Sequence, residues 1–313
     1  MIEVEKLVKE FGPTKAVSGI DFSIELGEVV GLLGPNGAGK STTIRILTTY
    51  LAPTSGWASV AGFDVTKEPL EVRRRLGYLP ENAPVYEEMR VNDYLSFIIQ
   101  ARGIPSAERA AALERICAVT GISTVLKKSL GELSKGFRQR VGLAQAMVHD
   151  PEILILDEPT SGLDPNQIVE IRNLIREIGK KKTIILSTHI LAEVEATCDR
   201  VIIIHKGRIV ADGKLQDLQK SEAEEGLYTV RSAEDPAKVV EALRKIPAVQ
   251  GVEPAGDGGG FFEPLFRVRA KRGDVHLGGE IFAAARDADL TFSELAAAHR
   301  TLEDIFQDLT KEA

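Results

Sequence analysis

The sequence has 313 residues, 43% hydrophobic and 27% charged, with 39 Lys and Arg against 46 Asp and Glu for a net charge of −7. Length and composition suggest about two domains with a sizeable core, at roughly 150 residues each, and exclude wholesale disorder and a globally basic nucleic-acid binder, though not a local basic patch. The two cysteines, Cys117 and Cys198, exclude a disulfide framework and read as small core residues. No run approaches the roughly 18 apolar residues that cross a bilayer. Met1–Lys9 lacks the apolar stretch of a secretory signal. Any membrane role is expected to come through a partner.

The first elements read as strands. Ile2, Val4 and Leu7 alternate with charges, and Phe22, Ile24 and Leu26 keep period two up to a turn at Gly27. Val29–Leu33 is a continuous apolar run of strand length, as for a strand buried on both faces. A Gly-rich loop follows, then a helix over Ser41–Leu51 closed by Pro53 and Gly56. Residues 82–150 read as a helical insert: Val91, Tyr94, Leu95, Ile98 and Ile99 repeat at helical spacing, as do Leu113, Ile116, Cys117 and Val119. Strand texture returns at Ile153–Leu156, Thr183–Leu186 and Val201–Ile204, with a helix over Pro165–Gly179 between the first two. Strands alternating with helices imply a parallel α/β sheet. The texture turns polar and acidic over Lys214–Gly226, so we divide the chain into 1–220 and 221–313. In the second part, strands are expected at Leu227–Val230, Val249–Val252 and Leu265–Ala270, helices at Pro236–Ile246, Glu280–Arg286 and Thr301–Leu309, and a flexible loop at Asp257–Gly260. It reads as a small α+β domain without a catalytic motif.

The loop GPNGAGKST, Gly34 to Thr42, satisfies G-x-x-x-x-G-K-[ST] between a buried strand and a helix. Its residues Gly34, Pro35, Asn36, Gly37, Ala38 and Gly39 let backbone N–H groups wrap phosphate oxygens, and the helix beginning near Lys40 adds its positive end. Lys40 is expected to charge-pair with the β- and γ-phosphates, Ser41 to ligate Mg²⁺ and Thr42 to bond the α-phosphate. A Gly-rich turn with an incidental lysine is the plain alternative, and the strand–loop–helix context argues against it. Further on, ILILDEP places Asp157 at the C-terminal end of a buried strand, where open α/β sheets bind ligands. A carboxylate there suits Mg²⁺. Glu158 is then free to polarise an attacking water.

LSKGFRQR at Leu133–Arg140, SGLDP at Ser161–Pro165 and STH at Ser187–His189 complete an ordered set over about Met1–Gly213 that resembles the ABC-type ATPases. The resemblance implies a P-loop NTPase core with an antiparallel β subdomain and a helical insert. It also implies that Ser134 and the N–H of Gly136 meet the γ-phosphate of a nucleotide on the opposite subunit. Two ATP molecules would then be buried in a closed homodimer, with Asp164 linking the two sites. By the same resemblance His189 contacts the γ-phosphate and the water, and Phe11 stacks on adenine. Two positions depart from the family pattern. GYLPEN carries Glu81 where the family has Gln, and Glu81 is expected to keep that residue's place beside Mg²⁺. Lys135 replaces a glycine, and either adds charge near phosphate or faces solvent.

The signature with its following helix, and LEDIFQDLT at Leu302–Thr310, resemble the gliding-motility and multidrug branch, whose ATPases pair with ABC-2 permeases. That implies an exporter subunit peripheral to the cytoplasmic face of the membrane, with the helical insert carrying the groove for the permease. The alternative is a soluble ABC-type ATPase acting on ribosomes or DNA. One motif set, no sustained heptads and net acidity disfavour it, and no nucleic-acid partner is expected.

Overall fold

The computed structural model describes residues 1–82, 85–220, 227–254, 263–271, 277–297 and 306. The chain parts into two compact units after Lys214. In chain order the first runs β1 (Ile2–Phe11), β2 (Thr14–Ile24), β3 (Val29–Leu33), α1 (Lys40–Leu47), β4 (Ser55–Val60), β5 (Phe63–Asp64), α2 (Pro69–Arg75), β6 (Leu76–Leu79), α3 (Val91–Ala101), α4 (Arg109–Thr120), α5 (Lys135–Met147), β7 (Ile153–Asp157), α6 (Pro165–Gly179), β8 (Thr183–Thr188), α7 (Leu191–Thr197), β9 (Arg200–His205) and β10 (Arg208–Lys214).

Two sheets organise this unit. One is antiparallel, in the order β2-β1-β4-β5, and the other has six strands, β10-β9-β3-β8-β7-β6. In the larger sheet β9, β3, β8, β7 and β6 run parallel, and β10 closes one edge antiparallel. Every residue of β3, β7 and β8 is buried, which is why each lacks the alternation of a one-faced strand. One core joins the sheets: Ile20 and Phe22 from the antiparallel layer, Ile44 and Leu47 from α1, and Val30, Ile155 and Ile202 from the parallel one. Burying each such side chain stabilises the fold by about 1.5–3 kcal/mol.

The sheet order positions the site. Because β3, β8 and β7 are neighbours, the three segments that follow them emerge side by side. Leu33 pairs with Thr188, and Asp157 with Ser187, at the C-terminal ends of the strands.

The helical insert consists of α3, α4 and α5 with two short 3₁₀ turns. In α3 the buried residues are Val91, Tyr94, Leu95 and Ile99, on the face the spacing predicts. In α4 the buried stripe is Ala112, Ile116, Cys117 and Thr120. Val119 falls just past its edge and is 42% exposed. The helix expected over Ser41–Leu51 is shorter, Lys40–Leu47, because Thr49 turns the chain with a φ of 62°. Leu26 lies beyond β2 in an exposed turn.

The second unit carries α8 (Leu215–Lys220), β11 (Leu227–Arg231), α9 (Pro236–Arg244), β12 (Val249–Pro254), β13 (Leu265–Ala270), α10 (Leu277–Asp287) and β14 (Glu294–Ala297). Its sheet is antiparallel in the order β12-β13-β11-β14. Val239 and Leu243 of α9 and Leu277 and Ile281 of α10 pack on Val230, Phe266 and Val268 in a separate core. Asp235 caps α9 by accepting from Ala237 N at 3.0 Å, and Pro236 sets its first turn. Ser221–Glu225, the loop at Asp257–Gly260 and, apart from Phe306, the helix read at Thr301–Leu309 and the stretch Leu302–Thr310 lie outside the described residues.

Candidate functional site

The Gly-rich loop is shaped by close backbone approaches. A Cβ on Gly34 would collide with the carbonyl of Ile204 in β9. Gly39 has a φ of 111°, and a Cβ there would stand 2.5 Å from the carbonyl oxygen of Ala16. Neither position accepts a side chain without moving backbone. The loop is also fastened from the β9–β10 turn, where Gly207 N donates to Ala38 O at 2.9 Å.

Lys40, 5% exposed, opens α1 beneath this loop. Its Nζ donates to Gly34 O at 2.7 Å and Pro35 O at 3.2 Å, and stands 3.6 Å from Glu158 Oε1. Burial lowers its pKa, while Glu158 and then Asp157 and Glu81 act in the opposite direction. The loss of water from the ammonium outweighs the nearby acids.

Asp157, 2% exposed, ends β7. Its Oδ1 accepts from Ser41 Oγ at 3.2 Å and from Ser187 Oγ at 2.5 Å. Glu158 follows at a φ of 48°. A non-glycine residue in this region costs about 1–2 kcal/mol. Two hydrogen bonds hold the turn, from Glu158 N to Ser187 Oγ at 3.0 Å and to Ser187 O at 3.2 Å. The turned carboxylate meets His189 Nδ1, 2.8 Å from Oε2 and 3.1 Å from Oε1.

A cavity of about 530 Å³ is lined by Phe11, Asn36, Gly37, Ala38, Gly39, Lys40, Ser41, Thr42, Glu81, Glu158 and His189, together with Ala16 and Ser161. Residues from five separate stretches of chain thus face one space of nucleotide size. Phe11 is 48% exposed at the end of β1, with Lys9 Nζ 5.2 Å from its ring centroid.

Ser134, Gly136 and Asp164 do not line this cavity. They form a second cluster, where the start of α5 meets the start of α6. Ser134 caps α5 by accepting from Phe137 N at 3.4 Å, and Asp164 caps α6 by accepting from Gln167 N at 3.0 Å. A Cβ on Gly136 would meet the Gln167 side chain at 2.8 Å. Lys135 is exposed and lays its ammonium against Gly162.

The sequence reading passed over Ser187 as an individual residue, and over Thr160 and Glu193. Thr160 Oγ1 donates to Glu193 Oε1, and Thr188 Oγ1 donates to Glu193 Oε2 at 2.7 Å. The legible signal was a polar residue beside each motif in an otherwise apolar setting.

A family model described as "ABC transporter" matches residues 17–161. The chain is 40% identical over 215 residues to the "ABC transporter ATP-binding protein NatA" of Bacillus subtilis, covering 68% of this chain and 87% of that protein. It is 33% identical over 310 residues to the "Daunorubicin/doxorubicin resistance ATP-binding protein DrrA" of Streptomyces peucetius, covering 99% and 92%. Its fold matches a solved structure described as "Structure of ATP binding subunit of ABC transporter" with a TM-score of 0.64 and 34% identity, covering 71% of this chain and 92% of that one.

Proposed function

Because the chain belongs to the ABC transporter ATP-binding family, we propose that two copies hydrolyse magnesium-bound ATP between them and so power export through a separate ABC-2 type permease. The protein is the ATP-binding and ATP-hydrolysing subunit of an ABC transporter, and such subunits work with membrane permeases. No described helix is long and apolar enough to cross a membrane. The subunit then sits on the cytoplasmic face through its permease.

In this reading the N–H groups of Asn36–Gly39 and the start of α1 cradle the phosphates, Lys40 neutralises the β- and γ-oxygens, Thr42 bonds the α-phosphate and Phe11 stacks on adenine. Ser41 Oγ and Asp157 Oδ1, 3.2 Å apart, offer the hydroxyl and carboxylate that a hard cation takes, with Glu81 on the cavity wall. When bound, Mg²⁺ would neutralise charge on the phosphates. Glu158 accepts a proton from the attacking water, and an imidazole protonated at Nδ1 holds that carboxylate in place. Ser134 and the N–H of Gly136 serve the nucleotide of the opposite copy, and Asp164 carries each site's state to the other.

The helical insert supplies the permease contact. A groove of about 470 Å³ lies where α3 and α5 meet the end of α1 and β6, lined in part by Arg45, Tyr50, Arg73, Tyr78, Arg102 and Gln145. Its cations and aromatic rings suit an amphipathic cytoplasmic segment of a permease. The names of relatives that include drug resistance support export.

The observation that carries this reading is the Glu158 carboxylate between Lys40 and His189 over the phosphate loop. With Glu158→Gln, turnover should fall by about 10²-fold or more, while ATP still binds and light scattering shows a dimer. Wild-type turnover, or a strict monomer at saturating magnesium and ATP with the permease present, overturns it.

A further inference from the structure

Glu193 is a buried carboxylate that the nucleotide chemistry does not use. It stands in the first turn of α7 and is 3% exposed. Among the described residues its partners are two hydroxyls and no cation. Thr160 Oγ1 donates to Oε1, and Thr188 Oγ1 donates to Oε2 at 2.7 Å. Thr188 Oγ1 in turn accepts from Ile190 N at 3.0 Å, so both capacities of that hydroxyl are used. The two threonines are 5% and 1% exposed.

An ionised carboxylate without a cation is costly to bury and is tolerated where hydrogen bonds satisfy it. Space-filling alone would be met more cheaply by Leu or Met. What the acid does here is join two turns. Thr160 follows Glu158 by two residues, and Thr188 directly precedes His189. The base of the same two turns is already stitched by Glu158 N on Ser187. Glu193 closes them a second time, through Thr160 two residues after Glu158 and through Thr188 directly before His189. The Ser161–Pro165 loop also starts at this clamp, where Leu163 N donates to Thr160 O at 3.2 Å.

We propose that Glu193 is a positioning residue for hydrolysis: by gripping Thr160 and Thr188 it keeps Glu158 and His189 paired and ties the Ser161–Pro165 loop to that pair. The proposal rests on the roles given to Glu158 and His189 above. A carboxylate held by two hydroxyl hydrogen bonds joins both turns to one side chain, and a displacement of about 1 Å at a reacting group can cost on the order of 10²-fold in rate.

The test is a double-mutant cycle on the full chain, with melting temperature recorded for each variant. Glu193→Ala should lower kcat about ten-fold or more while the KM for ATP moves by less than about two-fold. Glu193→Gln, which keeps the shape and one acceptor, should fall between it and the wild type. In a Glu158→Gln background, single-turnover hydrolysis should lose little further on removing Glu193, because the group it positions is already gone. Unchanged kcat in Glu193→Ala overturns the proposal, and so does an equal loss in both backgrounds, which is the mark of general destabilisation. If Glu193→Ala does not fold, Glu193→Gln carries the same cycle. Wild-type turnover in Glu158→Gln alone would remove the underlying assignment, a result separable from a failure of the clamp.

Discussion

The phosphate cavity and the cluster at the start of α5 are built on opposite plans. At the cavity Lys40, Glu158 and Asp157 are each fastened by another side chain of the same chain: Lys40 by Glu158, Glu158 by His189, Asp157 by Ser41 and Ser187. At the start of α5 the side-chain fastening is sparse among the described residues. The Ser134 side chain is exposed and among the described residues makes one long contact of 3.4 Å, and the first turn carries no acid of its own. A helix start in that condition favours an anion. The difference assigns the two regions different dependencies. The cavity should bind nucleotide within one copy, whereas the α5 cluster should matter only once a second copy presents its phosphate.

The sharpest break in this comparison comes from the cavity. Lys40→Met removes a cation that burial has already stripped of water, so the bonds proposed for it to phosphate would be strong ones. Loss of two charge-assisted hydrogen bonds should weaken ATP binding about 100-fold by calorimetry. A change below about three-fold would show that the loop amides alone hold the nucleotide.

Ser134→Ala is the counterpart and should act differently. ATP affinity of the isolated copy should stay within about two-fold, while kcat falls about ten-fold, the value of one hydrogen bond to a charged group. Weakened binding to the monomer would contradict the division drawn above. Mixing the two variants sharpens it further. A mixed dimer holds one site built from an intact Lys40 and the other copy's intact Ser134. The mixture should therefore exceed the summed activities of the separate variants. If the mixture only equals that sum, the cluster works in cis.

The parts of this molecule that a sequence could disclose are those fixed by local chemistry. Val29–Leu33 and Ile153–Leu156 announce buried parallel strands, because a two-faced burial leaves no polar position. The phosphate loop announces itself because glycines with a lysine at that spacing stand between a buried strand and a helix. What stayed hidden depends on which strands become neighbours. Ser187 meets Asp157 only because β8 lies between β3 and β7, and no local pattern encodes that order. No local pattern marks Glu193, one of two acids in α7, and its hydrogen bond reaches 33 residues back to Thr160. The early end of α1 at Leu47 goes with a left-handed Thr49, which no local residue pattern encodes.

The smallest expected effect lies outside both clusters and tests whether the core beneath them is as dry as its contacts imply. His149 stands behind β6, with Nε2 3.1 Å from Leu76 O, a distance at which Nε2–H donates to that carbonyl. Its Nδ1 is buried without a hydrogen-bond partner among the described residues. Burial, followed by the neighbouring Arg102, pushes its pKa down to about 4. In the unfolded chain the ring titrates near 6.5, so between those values only the unfolded state binds the proton. Stability is then complete above about pH 6.5 and falls as the pH drops toward about 4, where the native ring titrates in turn and the loss levels off. For a partly buried ring the contribution is on the order of 1 kcal/mol. Urea unfolding of the wild type and His149→Gln at several pH values should show the extra acid slope in the wild type alone. Parallel slopes would mean that water reaches the ring, and that the floor of the parallel sheet is more open than its packing implies.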